Sequence, residues 1–161
     1  MKFKTLLAVV ALTPTIASAE PTRLTYPNAV SIEGFGRGLL YSVDFDRVVS
    51  DDFVMGAGFG TAPTSIATAT VIPVYANYYF MRDAGSVFVT AGVDFIPNSN
   101  SVAGSQTSTG SFVFTSAAMV ATFGAGYEYR SDNGFILRAT GYGIATASLQ
   151  AWAGFNIGFA F

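Results

Sequence analysis

The chain has 161 residues, which is enough for one domain and leaves no room for a second core. Apolar residues make up 51% of it and charged residues only 11%, a composition that excludes an intrinsically disordered chain. Cysteine and histidine are both missing, so disulfides and thiolate metal sites are excluded, and the commonest general base is unavailable.

Residues 1–19 have the pattern of a secretory signal peptide. Lys2 and Lys4 give a positive start, residues 6–12 are apolar throughout, and Ala17-Ser18-Ala19 is a small-residue cleavage site. The apolar run is too short to span a bilayer as a helix. The pattern therefore predicts export rather than a membrane anchor.

We expect cleavage between Ala19 and Glu20, with residues 20–161 forming a single mature domain. Both lysines leave with the leader, so the mature domain has six arginines and ten acidic residues, a formal net charge of −4. Such a charge balance offers no basic footprint, and we expect no nucleic-acid partner.

After the leader, apolar and polar residues alternate with period two, as in strands that have two unlike faces. The alternation is clearest in residues 87–95, 117–130 and 149–161. Short charged turn signals lie at 50–52, 81–85 and 131–134, and uncharged polar connections at 64–70, 98–110 and about 145–148. These breaks predict eight strands, near residues 28–35, 38–49, 53–63, 71–80, 87–97, 112–130, 135–144 and 149–161.

The two strand faces differ in a way that indicates a membrane barrel. One face has large apolar and aromatic side chains, whereas the other is rich in glycine with a few acids and arginines. A soluble sheet turns its apolar face inward. Eight closed strands leave an interior only wide enough for side chains, so the small residues belong inside. The glycines on the predicted inner face are Gly56, Gly58, Gly60, Gly92, Gly124, Gly126, Gly154 and Gly158.

The aromatic residues fall into two groups along the predicted strands, as expected for girdles at the two bilayer interfaces. Beside the short charged turns or the C-terminus lie Phe45, Phe53, Tyr78, Phe80, Tyr127, Tyr129, Phe135, Phe159 and Phe161. Near the longer loops lie Phe59, Phe95, Phe112 and Phe114. The predicted fold class is therefore all-β, an antiparallel up-and-down transmembrane β-barrel of eight strands.

The chain ends in alternating apolar residues, Phe155, Ile157, Phe159 and a terminal Phe161. This ending resembles the C-terminal assembly signal of bacterial outer-membrane barrels, which the barrel-assembly machinery recognises. The whole mature chain resembles the small eight-stranded class that includes the OmpA transmembrane domain and OmpX. Residues 38–47 and 134–138 are similar to a largely uncharacterised group of such barrels, which brings no known activity with it.

The resemblance implies an outer-membrane location, outer-membrane lipid and the assembly machinery as partners, and a monomer. Both termini would lie in the periplasm, with the short charged turns on that side and the uncharged loops outside. Arg37 would then be the only charged residue in the external connections, so anchoring to lipopolysaccharide phosphates is not expected.

A set of polar and aromatic side chains is predicted to point into the lumen: Glu33, Ser42, Asp44, Asp46, Tyr75, Asn77, Tyr79, Asp94, Glu128, Arg138, Thr140, Tyr142, Trp152 and Asn156. Within it, the predicted charged network is Asp44, Asp46, Asp94, Glu128 and Arg138, with Glu128 and Arg138 as cross-strand partners. Charges enclosed by a barrel wall must be paired or wet, which favours a packed, hydrogen-bonded plug. The alternative interpretation is a narrow path for cations lined by the carboxylates.

Two further functions are alternatives to a structural barrel. An enzyme is disfavoured because G-x-S-x-G, P-loop and G-x-G-x-x-G motifs are all missing, and only Asp44 and Asp46 form a candidate carboxylate pair. No cofactor or metal site is predicted. A surface-recognition role would use the polar loop 98–110. The sequence favours a non-enzymatic structural or membrane-integrity barrel, with the channel and the recognition barrel as alternatives.

Overall fold

The computed structural model describes residues 22–63, 68–97, 118–145 and 149–161. A short helix, α1, spans Thr22–Thr25. The eight strands are β1 Asn28–Gly34, β2 Tyr41–Ser50, β3 Phe53–Pro63, β4 Thr68–Tyr79, β5 Gly85–Ile96, β6 Ala118–Arg130, β7 Phe135–Ala145 and β8 Leu149–Ala160. Among the described residues, no helix is long and apolar enough to cross a membrane.

The strands form a closed antiparallel barrel in which each strand pairs with the next along the chain. β8 closes the barrel on β1, with Ala160 opposite Ala29 and Phe155 opposite Gly34. We call the end with residues 51–52, 80–84 and 131–134 the short-turn end, and the opposite end the loop end. The predicted all-β fold class and the predicted eight strands are confirmed.

Burial alternates along the strands, and the large apolar side chains are on the outside. On β1, Ile32 is 56% exposed whereas its neighbour Glu33 is 2% exposed. The same alternation runs along β2, where Val43 and Phe45 are exposed and Asp44 is buried. A soluble barrel would have the opposite arrangement, because its apolar face would form the core.

Inward glycines make room for the large inward side chains of neighbouring strands. A Cβ added to Gly56 would lie 2.4 Å from the ring of Tyr75, and one added to Gly126 would lie 2.7 Å from the ring of Phe88. The tight turn before β7 needs glycine for another reason, because Gly134 has φ +90°. Small and large residues thus interlock across a lumen of fixed width.

The starts of two strands, β2 and β4, each differ by three residues from those predicted. β2 begins at Tyr41 rather than at residue 38, because residues 37–40 form a turn with Leu39 at φ 69°. β4 begins at Thr68, inside the predicted loop, because its first residues pair with the end of β3. The helix α1 was not predicted. The predicted start of β6 at residues 112–117 lies outside the described residues.

Aromatic side chains on the outer face lie toward both ends of the barrel. Tyr78, Phe80, Tyr127, Tyr129, Phe159 and Phe161 are exposed near the short-turn end. Phe59 and Phe95 are exposed toward the loop end, and Phe123 and Phe155, which were assigned to neither group, are also exposed. Phe112 and Phe114 lie outside the described residues.

Candidate functional site in the barrel lumen

The inner face of the barrel collects buried charges of both signs. All five residues of the predicted network are at most 3% exposed. Within the described residues, five carboxylates and four guanidinium groups are buried: Glu33, Asp44, Asp46, Asp94, Glu128, Arg23, Arg37, Arg130 and Arg138. The lumen therefore holds nearly balanced charge, rather than the acid-rich lining that the predicted network implied.

Arg138 on β7 joins two acids from different sides of the lumen. It lies directly opposite Glu128 on β6, and its Nη2 is 2.7 Å and its Nε 3.0 Å from Glu128 Oε2. The same Nη2 is 2.7 Å from Asp46 Oδ2 on β2. Charge-assisted contacts of this length are among the strong hydrogen bonds in proteins.

Two tyrosines from β4 donate to the same acids. The hydroxyl of Tyr79 is 2.6 Å from Glu128 Oε2, and that of Tyr75 is 2.7 Å from Asp46 Oδ1. Asp46 thus has both oxygens engaged, one by Arg138 and one by Tyr75. These bonds satisfy buried groups that would otherwise be costly to desolvate.

Two further arginines approach Glu128 from the short-turn end. The Nε of Arg130 is 3.3 Å and the Nε of Arg23 is 3.7 Å from Glu128 Oε1, which are ion-pair distances without hydrogen-bond alignment. The guanidinium of Arg23 also lies 3.8 Å from the centre of the Tyr79 ring. Arg130 donates to the carbonyl of Tyr26 at 3.2 Å. The segment that contains α1 is thereby attached inside this end of the barrel.

A second cluster lies toward the loop end, around Glu33. Its Oε1 accepts a hydrogen bond from the hydroxyl of Tyr142 at 2.6 Å, and its Oε2 accepts one from the backbone N–H of Arg37 at 2.8 Å. The Arg37 guanidinium lies 3.9 Å from the centre of the Tyr75 ring and donates to the Thr90 hydroxyl. Arg37 lies in the turn between β1 and β2, as predicted, but its side chain is 3% exposed and points into the lumen, which was not predicted.

Asp44 and Asp94 lie outside the cluster that Arg138 forms with Glu128, Asp46, Tyr75 and Tyr79. Asp44 Oδ2 accepts from Ser42 at 3.1 Å and from Asn156 at 3.4 Å. Asp94 lies opposite Pro73 on β4 and Val120 on β6. Among the described residues, one oxygen of each carboxylate, Oδ1, has no hydrogen-bond partner. The two acids therefore do not form a continuous row of paired charges with Asp46 and Glu128.

Apolar layers close the polar part of the lumen at both ends. At the loop end, the buried cluster contains Leu39, Val71, Ile96, Val120, Tyr142 and Ile144, with Trp152 packed against it. At the short-turn end, Ala29, Ile136 and Ala160 pack with Tyr26, and Val54, Tyr79 and Phe88 pack with Val48. Together with Arg23 and Arg130, which are buried at the short-turn end, these side chains fill both ends of the lumen.

An exposed ion pair links two turns at the short-turn end. The guanidinium of Arg82 is 3.0 Å from Asp51 and 3.1 Å from Asp52. The hydrogen bonds from Arg82 hold the pKa of the Asp52 carboxyl below its ordinary value of 3.8, and the same contacts raise the pKa of Arg82. All three side chains are at least 30% exposed, so the pair contributes little to stability.

The arrangement offers little to catalysis. Asp44 and Asp46 share the inner face of β2, but both oxygens of Asp46 are engaged, so the pair does not present two free carboxylates. The described residues contain no group of three or more acids, histidines or cysteines that could hold a metal ion. Buried, mutually paired charges of this kind fix neighbouring strands relative to one another.

The structure also places the other predicted site residues. Phe155, Ile157, Phe159 and Phe161 point outward at the end of the chain and are 48% to 55% exposed. The cleavage site at Ala19 and Glu20, and the loop 98–110, lie outside the described residues.

Three arginines of the lumen were missed by sequence reasoning. Arg130 follows the same alternation that put Glu128 on the inner face, so a signal for it was present in the sequence. Arg23 and Arg37 lie in a helix and a turn, where no period-two pattern predicts the direction of a side chain.

Comparison with known proteins supports the fold. No family model matches the chain, and no curated protein is detectably similar to it. The N-terminal β-barrel domain of Pseudomonas aeruginosa OprF matches with a TM-score of 0.59 at 18% identity, over 83% of this chain and 95% of that domain. The Yersinia pestis outer membrane protein Ail matches with a TM-score of 0.51 at 10% identity, over 84% of this chain and 99% of Ail. The resemblance to small eight-stranded outer-membrane barrels is confirmed at the level of the fold.

Proposed function

We propose that this protein is a monomeric, non-enzymatic barrel of a bacterial outer membrane, with a structural or membrane-integrity role and a lumen closed to solutes. The observation that carries the proposal is the lumen, which holds a buried ion-pair cluster between two apolar layers. A barrel of eight strands is normally filled by its side chains.

The outer surface supports the membrane location. Exposed Ile32, Val43, Phe59, Phe155 and Ile157 would be costly in water on a monomer, whereas in a bilayer they face acyl chains. The two structures of similar fold are both of outer-membrane proteins, and that of Ail was obtained in a phospholipid bilayer nanodisc. In this location, the folded barrel is surrounded by outer-membrane lipid, and the barrel-assembly machinery is its partner during biogenesis.

The closed lumen can be tested with the refolded full chain in liposomes and planar bilayers. Swelling in a small sugar and single-channel current in salt should both be at background, with a large general porin as positive control. Stable cation-selective openings would overturn the proposal. If those openings disappeared in Asp94→Asn or Glu128→Gln, the narrow cation channel would replace it.

A further inference from the structure

A groove opens in the wall of the barrel at its loop end, between β8 and the turn that joins β1 to β2. It has a volume of about 460 Å³ and is lined by Phe35, Ala151, Trp152 and Ala153. This volume is within the range of small-molecule sites in proteins. Among the residues that the structure describes, none of those lining the groove is charged, so the groove suits an apolar occupant.

The groove exists because β1 is shorter than β8. β1 ends at Gly34, opposite Phe155, whereas β8 extends to Leu149, about 20 Å along the strand at 3.3 Å per residue. Within the described ranges, Ala151 and Ala153 therefore have a strand neighbour on the β7 side only.

The backbone groups of Ala151 and Ala153 face the groove. At the other end of β8, the N–H of Ala160 bonds to Gly134 on the β7 side, and the N–H of Phe161 bonds to Asn28 on the β1 side. The backbone N–H and C=O groups of successive residues point to opposite sides of a strand. Those of the odd-numbered residues of β8 therefore point toward β1 or, beyond the end of β1, toward the groove. An unpaired backbone group in apolar surroundings is costly, so an occupant that also carries a hydrogen-bond acceptor is favoured.

The turn before β2 forms the opposite wall and the floor. Phe35 has φ 55°, its N–H bonds to Leu40 O at 2.8 Å, and its ring is 62% exposed beside the groove. Below it, Gly36 packs so closely on β8 that a Cβ added to Gly154 would lie 2.7 Å from Gly36 Cα. Phe35 lines the groove together with Ala151 and Ala153 of β8, and a bulky side chain there disfavours a second polypeptide strand as the occupant.

The groove is continuous with the apolar outer surface. Leu149 and Phe155, which flank it on β8, are 65% and 53% exposed. We infer that this groove binds one acyl chain of a lipid from the surrounding leaflet, and that this chain lies between Phe35 and the edge of β8. Ester carbonyls at the polar end of that lipid can accept hydrogen bonds from the backbone N–H groups at the edge. This inference rests on the proposed membrane location.

Trp152 allows a direct test, because it is the only tryptophan of the chain and lines the groove. The full chain would be refolded into vesicles of phosphatidylcholine with brominated acyl chains, which quench tryptophan fluorescence on contact. Trp152 belongs to the inner face of β8, and we expect strong quenching because the groove brings an acyl chain to its indole. Ala151→Phe, which fills the groove, should lose most of that quenching.

Ala139→Phe is the matched control, because Ala139 is exposed on the outer face of β7 and lies outside the groove lining. The fluorescence of Trp152 in Ala139→Phe should be quenched as strongly as in the wild type. Vesicle flotation and heat-dependent gel migration show whether the protein in each sample has inserted into the membrane. A protein that does not insert is thereby distinguished from an inserted protein that binds no lipid in the groove. In inserted protein, weak quenching of the wild type, or equal quenching in Ala151→Phe, would overturn the lipid site. A concentration-dependent dimer that Ala151→Phe abolishes would instead assign the groove to a second copy of the chain.

Discussion

Among the described arginines of the lumen, only Arg138 pairs with two carboxylates. It is 3% exposed and bonds to both Glu128 and Asp46, which come from strands on either side of it around the barrel. Arg130 and Arg23 remain near Glu128 if Arg138 is lost, but Asp46 loses its ion pair and retains only the hydroxyl of Tyr75. In the predicted network, Arg138 was the only basic residue.

Arg138→Ala should therefore destabilise the barrel far more than Arg82→Ala does. Removing one partner of a buried pair costs on the order of 3–5 kcal/mol. Arg82 is 55% exposed, and its pairs contribute about 0–1 kcal/mol. Unfolding in urea, followed by tryptophan fluorescence in lipid vesicles, would measure both. Equal midpoints would mean that Arg138 is solvated.

The exposed pair at the short-turn end predicts a pH effect with a definite sign. The pKa of Asp52 is lowered in the folded chain, so its contact with Arg82 stabilises the fold above the ordinary value of 3.8 and is lost as the pH falls through the lowered value. An NMR titration of Asp52 in Arg82→Ala should show its pKa rising toward 3.8. Arg47→Ala, whose side chain bonds Asn28 instead, is the control. An unchanged pKa of Asp52 in Arg82→Ala would mean that the contact with Arg82 does not lower it.

At the scale of the strands, packing across the lumen depends on where the glycines lie. Gly56 of β3 faces Tyr75 and Asp46, and Asp46 in turn pairs with Arg138. Gly141 of β7 faces outward, where an added Cβ would meet only ordinary contact at 3.8 Å. A glycine-to-alanine substitution is therefore expected to destabilise the barrel on the inner face and to have little effect on the outer face.

Gly56→Ala should lower the free energy of unfolding by about 1–3 kcal/mol, because the added methyl group overpacks a filled lumen. Gly141→Ala should change it by less than about 0.5 kcal/mol. Urea unfolding of the two variants under identical conditions makes the comparison. A larger loss for Gly141→Ala would mean that the inner and outer faces have been exchanged.

The last strand is predicted to direct assembly. β8 closes the barrel on β1, and the N–H of Phe161 bonds to Asn28 beyond the last strand pair. Deletion of Phe161, or Phe161→Asp, should leave the protein in periplasmic aggregates that lack heat-dependent gel migration. Phe161→Tyr keeps an aromatic ring and should assemble. Normal insertion of the deletion variant would contradict the resemblance to the C-terminal assembly signal.

For the whole molecule, the leader predicts one processing event. The membrane fraction should contain a chain that begins Glu20-Pro21-Thr22, because the pattern of residues 1–19 is that of a cleaved signal peptide. N-terminal sequencing of the purified protein tests this. An intact Met1 on membrane-inserted protein would overturn the predicted export route.

A cleaved N-terminus would also be short enough to enter the barrel. Arg23 would be the fourth residue of the mature chain, and it reaches Glu128 from the short-turn end. The N-terminal segment and the ion-pair cluster would therefore close the periplasmic mouth together, which fits a barrel that conducts no solute.

The number of strands, their order and their two faces could be predicted from the sequence. These features follow from local rules: side chains alternate along every strand, and short turns pair each strand with the next. Glu128 and Arg138 could be placed opposite each other because they flank one tight turn symmetrically. The outward direction of the apolar face also followed, since inward glycine fits only a narrow closed barrel.

Only the tertiary structure decided how the lumen is filled. Arg23 and Arg37 enter it from a helix and a turn, and Asp46 meets Arg138 across the barrel, 92 residues apart in the chain. The apolar layer at the loop end brings Leu39 together with residues of β4, β5, β6 and β7. These contacts arise from closure of the barrel and from its narrow bore, which no window of the sequence contains. The groove beside β8 has the same origin, because it depends on the difference in length between two strands that are neighbours only in the closed barrel.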